Sequence, residues 1–495
     1  MSVHWPIVRR LATHPSFVAM VDDRKKWRSV EVLVAALHIA SAIEKTARAD
    51  TVGILLPTSG AFPTAALATW MLGKTAVPLN YLLRESELQY VVDDCGCDVI
   101  VASRLLVKHT GFEPRCDRIV YLEDLGFKGV PEPRWPASAL DDSLAAMLYT
   151  SGTSGKPKGV MLTHGNLKAN IRQCVDLTRF SRRDVFMGVL PQFHCFGFTT
   201  LSLLPLTIGA RVRYLARFVP RQVLEACREE RATVLLAIPS MYAALNGVKD
   251  AGPEHVETLR YAVSGAEPLP DATAQKFFDR FGKRISEGYG LTETAPVTNV
   301  CLPDEYKRHS VGRAVPDLEQ VIVDPDTGAE LSVGREGEIR MKGPNVMTGY
   351  FRLPEETAEA FDEKGRFRTG DIGRLDPSGH LYITGRLKEM MIVGGENVFP
   401  REIEEVLNKH PAVRASGATA EPDEVRGELP IAFVELEEGA SADENELRSW
   451  CRERLAGYKA PRSIEVVEEL PRGPTGKVLR RELLGMKKTS VAEET

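Results

Sequence analysis

The chain lacks any uninterrupted apolar run near the ~20 residues that a membrane-spanning helix needs, so no transmembrane segment is expected. It lacks paired C-x-x-C spacings. Its eight cysteines are scattered and only Cys95 and Cys97 are close. That argues against a zinc site and for reduced thiols in a cytosol. A large charge imbalance is missing too. The net charge of -5 over 495 residues argues against a general nucleic-acid binder, so basic residues should matter locally. Near the start, Arg9 and Arg10 are followed by a mixed stretch rather than a signal-peptide core. The final Ala-Glu-Glu-Thr resembles no address or lipidation motif. These absences point to a cytoplasmic protein and leave peripheral membrane attachment open.

What is present is ordinary globular material. Hydrophobic residues make up 43% and charged residues 26%, enough for a sizeable core. The length suggests roughly three domains, though a large α/β unit can absorb two of them. Short apolar runs at 51–56, 98–102, 119–122, 185–190, 212–215 and 234–238 read as strands. Helical patterns at 61–72 and 222–228 lie between them. Strands alternating with helices indicate an α/β fold built on parallel sheet. From about 310 to 385 the texture changes. The turn D-P-D-T-G at 324–328 separates short alternating strands at 320–323 and 338–342, as in an antiparallel β subdomain. Another change comes near Gly385. A short strand at 389–393, a Gly394-Gly395 turn, a helix opened by Pro400, a strand at 431–436 and a helix at 444–455 predict a small α+β domain. The expected division is a large domain over 1–385, a linker at 385–388 with its hinge at 386–388, a small domain over 389–485, and a polar, disordered tail over 486–495.

Residues 149–159, Y-T-S-G-T-S-G-K-P-K-G, carry the clearest chemistry. Glycines let a backbone press its N–H groups against an anion. Thr150, Ser151, Thr153 and Ser154 add hydroxyl donors around Gly152 and Gly155, and Lys156 and Lys158 add charge. An apolar run precedes the stretch at 144–148, and a helical pattern (Leu167, Ile171, Cys174, Val175) follows it. The expected context is strand, phosphate loop, helix. The glycine spacing and Pro157 exclude the P-loop of GTPases. The bland alternative is a Ser/Gly surface linker, which rarely sits between a buried strand and a helix.

Five later clusters are candidate partners. P-Q-F-H-C-F-G-F at 191–198 sets His194 among aromatics, where a core role is the plain alternative. S-G-A-E-P-L at 264–269 follows an apolar strand, where α/β folds bind ligands, though tight turns are also common there. E-G-Y-G-L-T-E-T at 287–294 offers an aromatic face between glycines, then a carboxylate; that suits a flat base and a hard cation such as Mg²⁺. R-T-G-D-I-G at 368–373 is read as a turn whose acidic residue could hold ribose hydroxyls. P-R-G-P-T-G-K-V-L-R-R-E-L at 471–483 presents Lys477 before a basic helix, although such segments are usually solvated.

Together these stretches, with G-P-N-V-M-T-G-Y at 343–350, Thr369-Gly370-Asp371, Gly385-Arg386, 394–400 and 474–477, resemble the adenylate-forming superfamily in family order. Its members are acyl- and aryl-CoA synthetases, luciferases and the adenylation domains of nonribosomal peptide synthetases. The resemblance runs from about 148 to 483 and is closest to fatty-acid-type, AMP-forming acyl-CoA synthetases. It implies a large N-terminal domain, a hinge and a mobile C-terminal domain.

The resemblance implies roles residue by residue. Thr150, Ser151, Gly152, Thr153, Ser154, Gly155, Lys156 and Lys158 would hold the β- and γ-phosphates of ATP. Glu293 would hold Mg²⁺ and Thr292 would lie near the α-phosphate. Tyr289 would stack on adenine within Glu287, Gly288 and Gly290, while Ala266 and Glu267 line the base. Asp371 would take the ribose hydroxyls and Arg386 orient ribose and phosphate. Lys477 would bridge carboxylate and α-phosphate as a point charge. Lys388 would be the hinge, with Gly394 and Gly395 at the tunnel for the thiol of coenzyme A.

Amino-acid-activating members carry an Asp in the region matching Phe193-His194, and none stands here. His194 is kept as a candidate catalytic residue. F-H-C-F-G-F resembles the F-H-S-F-G of fatty-acid-activating members, with Cys195 expected to act as a small hydrophobe. The implied acid pocket is Phe196, Phe198, Met241 and Gly265, with Ala266 and Gly290. A medium- or long-chain fatty acid is favoured, an aryl acid such as a cinnamate is the runner-up, and an acyl carrier protein is the alternative to coenzyme A as acceptor. A luciferase-like oxidation and a non-catalytic nucleotide-binding protein are the remaining classes; the latter would be expected to have lost Lys477 or Glu293, and both are present.

Overall fold

Strand Thr51–Leu55 shows why the large sheets form. All five residues of T-V-G-I-L are buried, as in a parallel strand covered on both faces. It pairs in parallel with Thr75–Pro78 on one side and Val99–Ala102 on the other. The computed structural model describes residues 2–127, 129–151, 156–394, 396–423, 427–472 and 478–490. The chain divides into two compact units. One comprises Met1–Ala266, Lys276–Gln320 and Met341–Phe367; the other comprises Glu267–Gln275, Val321–Arg340 and Arg368–Thr495.

Among the described residues, the first unit holds two large sheets. One has seven strands, in the order Gly349–Tyr350, Pro157–Thr163, Leu144–Ser151, Thr75–Pro78, Thr51–Leu55, Val99–Ala102 and Arg118–Tyr121. The other has nine. Its parallel centre runs Ser286–Gly290, Tyr261–Ser264, Val234–Ala237, Val185–Gly188, Arg211–Tyr214 and Val18–Val21, with antiparallel strands at both edges. Large side chains such as Trp70, Phe62, Phe186, Tyr214 and Tyr242 are fully buried here.

Strands Glu319–Val323, Gly337–Lys342, Phe367–Leu375 and Leu381–Arg386 form a four-stranded sheet in that order. Within the second unit, Met391–Val393, Glu396–Val398, Val413–Asp423, Gly427–Leu436 and Ser463–Val466 make a five-stranded sheet. Helices Pro400–Leu407 and Glu444–Arg452 bury Ile403, Leu407 and Leu447 in its core. Pro400 opens its helix at the first turn, where a missing N–H costs nothing. No described helix is long and apolar enough to cross a membrane.

Three local expectations are corrected. The phosphate-loop stretch leads into a strand, Pro157–Thr163, before helix His164–Thr178 begins. Val160 and Leu162 alternate inward, and the strand pairs antiparallel with Leu144–Ser151. R-T-G-D-I-G lies inside strand Phe367–Leu375 rather than in a turn. The chain after Gly485 stays helical in Arg480–Ser490. Leu483 is buried with Ile431, Phe433 and Leu470, and Met486 packs against them; residues three apart share a helix face.

Candidate active site

The two ends of the phosphate-loop stretch lie on the paired antiparallel strands Leu144–Ser151 and Pro157–Thr163. Thr150 pairs with Lys158, and Tyr149 with Gly159. Thr163 then caps the following helix: its Oγ1 accepts from the Asn166 backbone N–H, and the Asn166 Oδ1 accepts from the Thr163 N–H. Gly152, Thr153, Ser154 and Gly155 lie outside the described residues, as do Gly395 and Lys477; Ser151 ends the entering strand. The Lys156 ammonium sits 5.6 Å from the Tyr90 ring centroid, and Lys158 sits 5.3 Å from that of Tyr350.

The stretch 343–350 ties this hairpin to the Glu293 segment. Gly349–Tyr350 adds a short antiparallel strand beside Val160 and Met161. The Asn345 amide donates to the Thr294 carbonyl at 2.9 Å, and the Met347 N–H to the Glu293 carbonyl at 2.8 Å. The Asn166 amide donates to the carbonyls of Pro344 and Val346. The outcome is a contact chain of Lys158, Tyr350 and Glu293, with the Tyr350 hydroxyl donating to Glu293 Oε1 at 2.9 Å. Burial, then the Glu293 charge, push the Tyr350 pKa far up, so the phenol stays a donor.

Glu287, Gly288, Tyr289 and Gly290 lie on strand Ser286–Gly290, all half-buried, and Thr292–Thr294 forms a single tight turn. Gly290 is dictated by packing, because a Cβ there would stand 2.1 Å from the Pro296 carbonyl oxygen. The Cys195 thiol lies 3.9 Å from the Thr292 carbonyl oxygen, which brings the 191–198 stretch to this turn. Cys195 is buried, and burial pushes its pKa well up, so it packs as a hydrophobe and is not a thiolate. The half-buried His194 ring is tilted against Phe193, 4.6 Å between centroids.

Phe196 and Gly265 adjoin: a Cβ on Gly265 would come 3.1 Å from Phe196 Cε1. Ala266 is exposed with φ 71°, and Met241 is half-buried on helix Pro239–Asn246. Phe198 differs. It is fully buried, with its ring edge-on to Phe62 and Trp70, so it builds core.

In the second unit, Asp371 and Arg386 face each other on antiparallel strands, and Arg386 Nε donates to Asp371 Oδ1 at 2.7 Å. Asp371 is 4% exposed. Lys388 is exposed within the turn Leu387–Glu389, and Glu389 accepts from Arg480 Nη1 at 2.7 Å. Gly394 has φ 61°. Glu267 is half-buried.

Among the described residues no cluster of three or more His, Cys, Asp or Glu could hold a metal. The Glu293 carboxylate, oriented by the Tyr350 hydroxyl, fits Mg²⁺ nonetheless, since this ion is commonly held by one or two carboxylates plus substrate phosphates. Sequence reasoning missed Tyr350, Asn345, Tyr90 and Asp94 as companions of the loop. Tyr350 and Asn345 stood inside a recognised motif; Tyr90 and Asp94 carried no local signal.

Residues 7–351 match the family model described as AMP-binding enzyme, and residues 402–477 match the one described as AMP-binding enzyme C-terminal domain. A long-chain-fatty-acid–CoA ligase from Bacillus subtilis (strain 168) is 31% identical over 96% of this chain and 92% of its own. A feruloyl-CoA synthase from Amycolatopsis sp is 33% identical over 97% of both chains. The crystal structure of ATP-bound MatB from Rhodopseudomonas palustris superposes with a TM-score of 0.89 at 31% identity, covering 99% of each chain.

Proposed function

The chain belongs to the AMP-binding enzyme family of adenylate-forming acid–CoA ligases, and from that premise we propose that it activates a medium- or long-chain fatty acid. A carboxylate is a poor acylating agent because its oxygen leaves badly. Attack of that oxygen on the α-phosphate of ATP expels pyrophosphate and makes a mixed anhydride with AMP. The thiol of coenzyme A then attacks the acyl carbon, and AMP leaves. Both partners of the first step are anions, so neutralising and positioning charge are the main tasks.

The observation that carries this reading is the grouping of Lys158, Tyr350 and Glu293 at the base of the phosphate-loop hairpin. Thr150 to Lys158 hold the β- and γ-phosphates, and the two lysines help pyrophosphate depart. Glu293 would hold Mg²⁺, which when bound offsets phosphate charge, and Thr292 stands near the α-phosphate. Tyr289 stacks on adenine, with Ala266 and Glu267 at the base. Asp371 accepts from the ribose hydroxyls and Arg386 orients ribose and phosphate. Lys477 bridges carboxylate and α-phosphate in the first step, and a hinge at Lys388 exchanges it for the Gly394-Gly395 loop in the second.

The fatty-acid choice is supported by an apolar wall in which Phe196 meets Gly265 and no carboxylate stands at 193–198. A second reading, an aryl acid, is favoured by the likeness to a feruloyl-CoA synthase. AMP formation across a panel of acids, with coenzyme A and with a holo acyl carrier protein as acceptors, tests both. C8–C16 acids with coenzyme A should be preferred; preference for benzoates or cinnamates would sink the fatty-acid reading.

A further inference from the structure

Helix Glu85–Cys95 touches both strands of the phosphate-loop hairpin. Tyr90 and Asp94 are four residues apart and so project from one helix face. On the entering strand, the Tyr149 hydroxyl donates to Asp94 Oδ2 at 2.6 Å. On the leaving side, the Lys156 ammonium lies over the Tyr90 ring. The opposite face of the helix is anchored, because Leu88, Val91, Val92 and Cys95 are buried in one core cluster. Arg352 Nη1 donates to the Asp94 carbonyl at 3.1 Å and fixes the helix end. The Tyr149 ring also adjoins its strand partner Gly159, where a Cβ would meet Tyr149 Cζ at 3.1 Å. Tyr149 and Lys156, at the two ends of the loop, therefore both rest on one buried-faced helix.

We propose that Asp94, acting through Tyr149, and Tyr90, acting on Lys156, are positioning residues that fix the two ends from which the phosphate loop departs. The inference rests on the reading that the β- and γ-phosphates of ATP lie in this loop. A carboxylate that accepts from a phenol is a charge-assisted bond and orients the strand from which the loop departs. Burial and the hydrogen bond to Asp94 push the Tyr149 pKa far up, so the phenol stays a donor.

The test compares ATP with AMP, because AMP lacks the two phosphates this loop would hold. Calorimetric titration of the full chain with each nucleotide in Mg²⁺ needs no turnover. Asp94→Ala and Tyr149→Phe should each weaken ATP binding about tenfold, the worth of one charge-assisted bond, and leave AMP affinity within about twofold. The two residues act as a unit, so the double variant should lose little more than the worse single variant. Asp94→Asn, which keeps an acceptor oxygen, should recover part of the loss. Equal weakening of ATP and AMP, unchanged ATP affinity, or multiplying losses in the double variant would each overturn the proposal. If Asp94→Ala does not fold, Tyr149→Phe removes a single oxygen and decides alone. If wild type binds ATP but releases no AMP with any acid, the activity reading fails while the affinities still decide this one.

Discussion

The Tyr350 hydroxyl donates to Glu293 Oε1 across 57 positions of sequence, at 2.9 Å. The bond fixes the one carboxylate assigned to Mg²⁺ and places the Tyr350 ring beneath Lys158. Tyr350→Phe removes the bond and keeps the ring. Acid-dependent pyrophosphate exchange should fall about tenfold, as expected for losing a hydrogen bond to a charged group, and the Mg²⁺ concentration for half-maximal rate should rise. An unchanged Mg²⁺ dependence would separate Tyr350 from the ion.

Damage to the two half-reactions should be separable. Lys477→Ala should abolish acid-dependent pyrophosphate exchange and spare thioester formation from supplied acyl-adenylate. Gly395→Leu should do the reverse, as the proposed role of this glycine on the path of the thiol requires. Single-turnover assays of each step decide it. Equal loss of both steps in either variant contradicts the assignment.

Acid should destabilise the first unit through two histidines. His4 and His164 both have pKa values lowered to about 4, chiefly by burial. His164 Nδ1 accepts from the Val3 N–H at 3.2 Å, so protonation would set donor against donor. A folded-state value below the ordinary 6.5 means that the unfolded chain binds the proton first. Stability is then full above about pH 6.5 and falls as the pH drops toward 4. Each histidine contributes about 3 kcal/mol to that loss. Urea unfolding between pH 7.5 and 4.5 should show the decline, and His4→Gln should flatten it. A slope unaltered by that change would assign the acid sensitivity elsewhere.

Two phenylalanines in one motif should behave differently. Phe198→Ala removes a ring packed on Phe62 and Trp70, and should cost about 3–5 kcal/mol of stability. Phe196→Ala, at a half-buried ring beside Gly265, should leave stability closer to wild type and shift the preferred acid. Thermal unfolding with the acid panel tests both. An acid preference that follows Phe198 rather than Phe196 would reverse the assignment.

The motifs were legible because each is contiguous. The hydroxyls, glycines and lysines of 149–159 announce an anion site wherever they fold, and strand Thr51–Leu55 announces itself by a short run without a charged residue, ended by Pro57. Strand Pro157–Thr163 was hidden. Its proline and its glycine read as loop, and only pairing with Leu144–Ser151 makes it a strand. Only the end of helix Arg480–Ser490, past Gly485, was hidden, and for a related reason: its polar residues dominate, and Met486 finds its partners far away in sequence.

Composition and motif order by themselves determined the family, the α/β class and most of the residues expected around ATP, since local chemistry at fixed spacing suffices for that. Tertiary structure alone decided which side chains hold those residues in place. Tyr149 reaches Asp94 across 55 positions, and Phe198 turns into the core while Phe196 meets Gly265. Such pairings depend on strand register and on which face of a helix is buried, and no stretch of sequence carries that information on its own.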